Sequence, residues 1–292
     1  MSFLFAIAAF VTTAAPLPAP APASASDQAI VIQGIRDRRK PADDFLKGML
    51  PASFDQQLGR FEEPVCPGAV GLPDKLKDEV LARIRQVASA AAIRAAKPGC
   101  RPNLLIIVVD DKRALIEGMR RTKEAYLYGI GDDVRKRLAT SAGPVAAWQI
   151  SDVVGPDGEP LLVDGDGFPR LFTTIPPSRL RTGTRSRILG AIVVVEQRGL
   201  IRVSTRQLAD FALVRALAPI QPRSGQPPDS SVLSLFNPGV RPEDAPQSLT
   251  WWDLALLKAL ASTRSDALAD IQRHEIRDHI VEEMAKVPPE QR

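Results

Sequence analysis

One apolar strand followed by two helices whose first turns are written into the sequence limits the folds open to this chain more than any other stretch. Ala191-Ile192-Val193-Val194-Val195 is a short β-branched run, the composition of a buried strand. Downstream, Ser204 stands three residues before Gln207, with Val203 and Leu208 on either side. That is a capping box inside a hydrophobic staple, in which both side chains satisfy amides of the open first turn. Thr250 and Asp253, flanked by Leu249 and Leu254, repeat it. Both helix starts are set locally.

The 292 residues carry 45% apolar side chains, enough for one large core or two smaller ones. With 38 Lys and Arg against 34 Asp and Glu, the net +4 is too small a surplus to argue for nucleic acid, and no such partner is expected. Residues 1–25 differ from the rest. Phe3 to Val11 is a nine-residue apolar run, followed by an Ala/Pro tract and Ala23-Ser24-Ala25, the small-x-small pattern of signal peptidase. Nine residues cannot span a bilayer as a helix, so a cleavable signal cut after Ala25 and a mature chain without a transmembrane helix are expected. The usual positive n-region is missing, since the first basic residue is Arg36.

Export would bring Cys66 and Cys100 into an oxidising space. They lie on either side of a predicted helix, in Pro-Val-Cys-Pro and Pro-Gly-Cys-Arg-Pro contexts. A bridge between them would contribute about 3 to 4 kcal/mol in the chain-entropy model; the alternative is two separately buried thiols. No second pair of cysteines completes a metal site, and no cofactor is expected.

Periodicity organises the rest. Residues 26–59 form an N-terminal extension, with a short strand at Ala29 to Gly34 and a short helix at Ala42 to Met49. An α/β segment over 60–145 opens irregularly at Arg60 to Pro67. It continues with a helix from Pro73 to Ala96, whose Leu76, Val80, Ile84, Val87 and Ala91 share one face. Leu104 to Val109 is a strand; Asp110 or Asp111 caps a helix carrying Leu115, Ile116 and Met119, and Asp132 caps another around Val134 to Ala139. In 146–262, Ala146 to Val163 reads as a hairpin about Gly155-Pro156-Asp157-Gly158, ahead of the strand and the two capped helices. Within 263–292, Asp266 to Lys286 is a charged amphipathic helix with Leu268, Ile276, Ile280 and Met284 inward.

Candidate chemistry is sparse. His274 and His279 flank Glu275 and Asp278, but zinc peptidases need histidines four apart on one face. Five residues turn the helix by about 500°, some 140° off that face. Asp164-Gly165-Asp166-Gly167 starts like a calcium loop, yet Phe168 and Ile175 stand where further oxygen ligands belong, so a tight turn is expected. Arg179, Arg181, Arg185 and Arg187 end a loop that would meet the phosphates or carboxylates of an envelope polymer or anionic surface, or simply protect a sheet edge. No nucleophile elbow, P-loop or dinucleotide fingerprint is present. Trp251 and Trp252 would line a groove or, as the first turn of an apolar helix, pack into the core.

Several segments together resemble a group of uncharacterised exported proteins of Gram-negative bacteria. They are the strand, the Gln207-Leu208-Ala209-Asp210-Phe211 helix, Ser231 to Asn237, Leu249 to Leu254, Arg60 to Pro67 and Cys100-Arg101-Pro102-Asn103. More distantly the same order resembles a domain-of-unknown-function family regarded as metallopeptidase-like, in which the helix after the strand is the zinc-binding helix. That resemblance implies a zincin-like arrangement, with Gln207, Asp210 and Asp253 marking a degenerate site. No histidine stands between Gln207 and Phe211, so no catalytic residue or metal ligand is carried over.

The sequence thus leads to an α+β or α/β fold, a mixed sheet packed with several helices. Its expected role is periplasmic or secreted, non-catalytic binding or envelope association. The alternative is a hydrolase whose active site has no recognised motif.

Overall fold

The computed structural model describes residues 39–50, 57–170, 175–218 and 226–286. Helix α1 covers residues 39–49. Strand β1 (Arg60–Phe61) and strand β2 (Pro67–Val70) precede α2 (Asp74–Ala90) and β3 (Leu104–Val109). Helices α3 (Lys112–Thr122) and α4 (Asp132–Thr140) lead into β4 (Val145–Val154) and a small hairpin of β5 (Leu162–Val163) with β6 (Pro169–Arg170). Strand β7 (Arg185–Glu196) is followed by α5 (Thr205–Leu217), a short 3-10 turn at Val232–Phe236, α6 (Trp251–Ser262) and α7 (Ala269–Lys286).

The sheet is organised about β7. Ile188 pairs with Phe61 and with Ser151, and Ala191 pairs with Leu104 and with Gln149. Strands β1 and β3 therefore follow one another along one edge of β7, both parallel to it, while β4 runs antiparallel along the other. Strand β2 extends the sheet beyond β3, also in parallel. The fold is α+β with a mixed sheet. The handover from β1 to β3 falls at Leu189 and Gly190, where β7 carries a bulge against Ile150 and Ser151. There the Asn103 carbonyl accepts from the Ala191 amide at 2.8 Å. A Cβ on Gly190 would lie 3.2 Å from that oxygen.

Both faces of the sheet are covered, which is why β3 and β7 read as continuous apolar runs. Leu104, Ile106, Ala191, Val193 and Val195 point into the larger core with α1, α2, α5, α6 and α7. Ile107, Ile192, Val194, Ala146 and Trp148 point the other way, under α3 and α4. Helix α5 is buried on nearly every side, Arg215 being the half-exposed exception after its first turn, because it lies within the larger layer. Cys66 and Cys100 are bonded, with Cα atoms 6.1 Å apart, so the bridge closes the loop that contains α2. Beside it the Asn103 side chain accepts from the Cys66 amide and donates to the Pro64 carbonyl, pinning the two segments together. Among the described residues no helix is long and apolar enough to cross a membrane.

Several expectations need correction. Arg60 to Pro67 is not irregular throughout, since it holds β1 and the first residue of β2; their partners lie far along the chain, and Pro67 is tolerated because β2 is an edge strand. Helix α2 stops at Ala90, six residues short of the expected end. Ala92 enters the left-handed region at φ 57°, its amide donating to Ser89 and that of Ile93 to Ala88, a Schellman stop that turns Ile93 back onto the core. Leu76 on the expected inner face is exposed. Gly131, not Asp132, is the N-cap of α4, and α7 begins at Ala269 rather than Asp266. The hairpin is also smaller than expected. Gly155 to Gly158 makes the turn, but the returning run meets β4 only at Pro160 opposite Val154, and β4 pairs instead with β7 over its full length. Residues 1–25, the strand at Ala29 to Gly34, Pro51 and part of the loop before Ser231 lie outside the described residues.

Candidate functional site

The first two turns of α5 and the first turn of α6 hold the three side chains of the expected degenerate site, and each is committed to structure. Ser204 accepts from the Gln207 amide at 3.1 Å, and Gln207 Oε1 accepts from the Ser204 amide at 3.1 Å. Gln207 Nε2 donates to the carbonyls of Pro242 (2.8 Å) and Pro246 (3.3 Å), fastening the 240s loop to α5. Asp210 is 1% exposed; Arg83 of α2 grips both its oxygens, and Oδ2 also accepts from the Leu249 amide at 2.6 Å. Asp253, fully buried, accepts from Ser231 Oγ at 2.5 Å on one oxygen. Its other oxygen takes the amides of Val232 and Thr250 and the Thr250 hydroxyl. Burial pushes its carboxyl above the ordinary Asp range, against the opposing pull of those hydrogen bonds. These three residues lie at consecutive joints of one polar seam and do not converge on a common open point.

The four arginines do not share one loop. Arg185 and Arg187 lie inside β7, where Arg185 pairs with Glu62 at 2.6 Å and Arg187 with Asp152 at 3.0 Å. Arg181 reaches Asp266 at 3.9 Å, and Arg179 is exposed. Asp164 and Gly167 form the tight turn that joins β5 to β6, with the Gly167 amide donating to the Asp164 carbonyl. His279 contacts Ser262, and Glu275 is held by Arg264. Among the described residues no group of three or more His, Cys, Asp or Glu is placed to hold a metal. Trp252 stacks on Phe45 and fastens α1 to the start of α6, with Trp251 packed beside it.

A cavity of about 450 Å³ opens elsewhere, at the C-terminal ends of α2, α5 and α6. Its apolar lining is Phe61, Ile93, Leu217, Leu257 and Leu260; its polar lining is Arg60, Glu62, Glu63, Arg94 and Arg185. Arg60 is occupied by the Thr263 carbonyl at 2.6 Å and the Ala261 carbonyl at 3.4 Å, which closes the end of α6. Arg185 is occupied by Glu62 and the Gly155 carbonyl.

No family model, curated protein or solved structure matches this chain. What the site can do therefore rests on its geometry. An apolar floor under a rim of mixed charge suits binding of a small amphiphilic molecule. Sequence reading misses this place because its lining comes from five separated segments. The signal that was present is local: Arg60 to Pro67 puts two acidic residues and an arginine around Phe61, next to a cysteine.

Proposed function

We propose that this chain is an exported protein, periplasmic or secreted, that binds a ligand without chemically changing it, on a peptidase-like scaffold whose catalytic end serves structure. The observation that carries this reading is Asp210, which is buried with both oxygens taken by Arg83 and a third bond from Leu249. A carboxylate that is buried, accepts three hydrogen bonds and has its charge committed to an arginine is turned into the structure rather than toward a metal, a water or a substrate. Gln207 and Asp253 support the reading for the same reason. The Cys66–Cys100 bond supports export, since such bonds persist in oxidising compartments.

Mass spectrometry of protein from a periplasmic or secreted fraction tests the compartment. Export with a chain starting at Ser26 and a two-proton deficit is expected; full-length, reduced protein confined to the cytoplasm overturns it. Incubation with peptide and ester substrates, with and without added zinc, tests the rest. Unchanged substrates are expected, and turnover that Asp210→Asn abolishes overturns the non-catalytic reading.

A further inference from the structure

We infer that the cavity at the ends of α2, α5 and α6 binds a small zwitterion with an apolar side chain, of the class of free apolar amino acids and dipeptides. This rests on the reading of the chain as a binding protein. The floor is apolar, and 450 Å³ falls within the size range of small-molecule sites. The rim decides the head group. Arg60 and Arg185 are already engaged, by helix-end carbonyls and by Glu62. Arg94 donates through Nη2 to the Glu62 carbonyl, and among the described residues its remaining guanidinium N–H groups have no other partner. Glu63 is exposed, lines the same cavity and takes no hydrogen bond or ion pair among the described residues. The rim thus offers one spare cation and one spare anion.

The backbones that carry them are tied together before any ligand arrives. The Val65 amide donates to the Arg94 carbonyl at 2.8 Å and the Ala96 amide to the Val65 carbonyl at 2.9 Å, so the segments carrying Glu63 and Arg94 are zipped together. The disulfide at Cys66 ties down the same corner. With the backbone already held, binding has to order only the two side chains. A carboxylate fits the fork of Arg94, and an ammonium fits the Glu63 carboxylate, while the side chain descends among Leu217, Leu257 and Leu260. A fatty-acid anion would satisfy Arg94 and the floor but leave Glu63 facing an alkyl chain.

The test is calorimetric titration of the full oxidised chain with leucyl-leucine, N-acetyl-leucyl-leucine, leucyl-leucinamide and dodecanoate. Leucyl-leucine should bind tightest. Glu63→Gln should weaken it about tenfold, the size of one lost charge-assisted hydrogen bond, and leave the acetylated peptide unchanged. Arg94→Gln should weaken leucyl-leucine and its acetylated form by about the same factor and leave the amide unchanged. Both side chains are at the surface, and melting curves equal to the parent's check the fold. Dodecanoate binding as tightly as leucyl-leucine, or a Glu63→Gln variant with unchanged dipeptide affinity, overturns the zwitterion assignment. Absence of heat with all four probes overturns the site. Each probe is recovered and weighed by mass spectrometry: cleavage of a bound dipeptide sinks the non-catalytic reading alone, whereas intact but unbound probe sinks only this inference.

Discussion

Arg83 of α2 holds the buried carboxylate of Asp210 on α5 in a two-pronged grip, Nε to Oδ1 at 2.7 Å and Nη2 to Oδ2 at 2.9 Å. The contact joins the two helices that pack most closely on that face, and the hydrogen bond raises the Arg83 guanidinium further above its usual value. Removing one partner leaves a charge or an acceptor stranded inside. Arg83→Met should therefore cost about 3 kcal/mol, toward the lower end for a buried pair because the guanidinium is 23% exposed. Arg83→Met with Asp210→Leu should cost less than Arg83→Met alone. Urea unfolding of the four proteins in the cycle measures this, and a double mutant weaker than either single mutant would count against it.

Asp253 makes stability depend on pH. Its carboxyl is raised above the ordinary 3.8, chiefly by burial, so the native state keeps its proton longer than the unfolded chain. That contribution is full below the ordinary value and is lost as pH rises through the raised one. Asp253→Asn removes it, and its amide oxygen can still accept from Val232 and Thr250 if its NH2 faces Ser231. The stability of Asp253→Asn relative to the parent should increase as pH rises from 3.8 through the raised value, measured by denaturant midpoints across that range. A difference that stays constant with pH refutes the assignment.

The end of α2 is an engineering target. Ala92 holds a left-handed conformation that glycine adopts without its Cβ penalty. Ala92→Gly should stabilise by about 0.5 to 1 kcal/mol after the unfolded-state entropy of glycine is subtracted. Thermal melts should rise by roughly 2 °C. Ala92→Val should fall on the other side of the parent.

Cys66→Ala with Cys100→Ala opens the loop around α2 and should cost about 3 to 4 kcal/mol in the chain-entropy model. Asn103→Ala removes one donor and one acceptor at the same corner and should cost about 1 to 2 kcal/mol. Equilibrium unfolding with and without reductant checks both. Because Glu63 and Arg94 depend on that corner, the reduced chain should also bind leucyl-leucine more weakly than the oxidised chain.

Local chemistry is what the sequence made readable. The boxes at Ser204 with Gln207 and Thr250 with Asp253 stand in the structure as read, because each joins residues only three apart. The Asp111 cap and the apolar runs of β3 and β7 belong to the same class. Pairing at a distance was not readable. The two residues of β1 carry no strand pattern and exist as a strand through Arg187 and Ile188. For the same reason the turn at Gly155 suggested a hairpin, while β4 took β7 as its partner. Gln207, Asp210 and Asp253 were recognisable as polar residues inside apolar helices, but their partners at Pro242, Arg83 and Ser231 become visible only when the helices are packed. The cavity is the extreme case, assembled from helix ends that share no sequence signal.

The position of β7 sets an order of events for a chain delivered from its N-terminus. Strands β1, β2 and β3 emerge first, yet Leu104 to Val109 meets its partner more than eighty residues later, at Ala191 to Glu196. Until β7 arrives, the apolar edge of β3 has nothing to pair with, and the long-range closure makes folding slow and aggregation-prone. A chain of this design carries that unpaired edge through most of its passage. The Cys66–Cys100 loop needs no part of β7, and it is the first long-range link such a passage could lock in place.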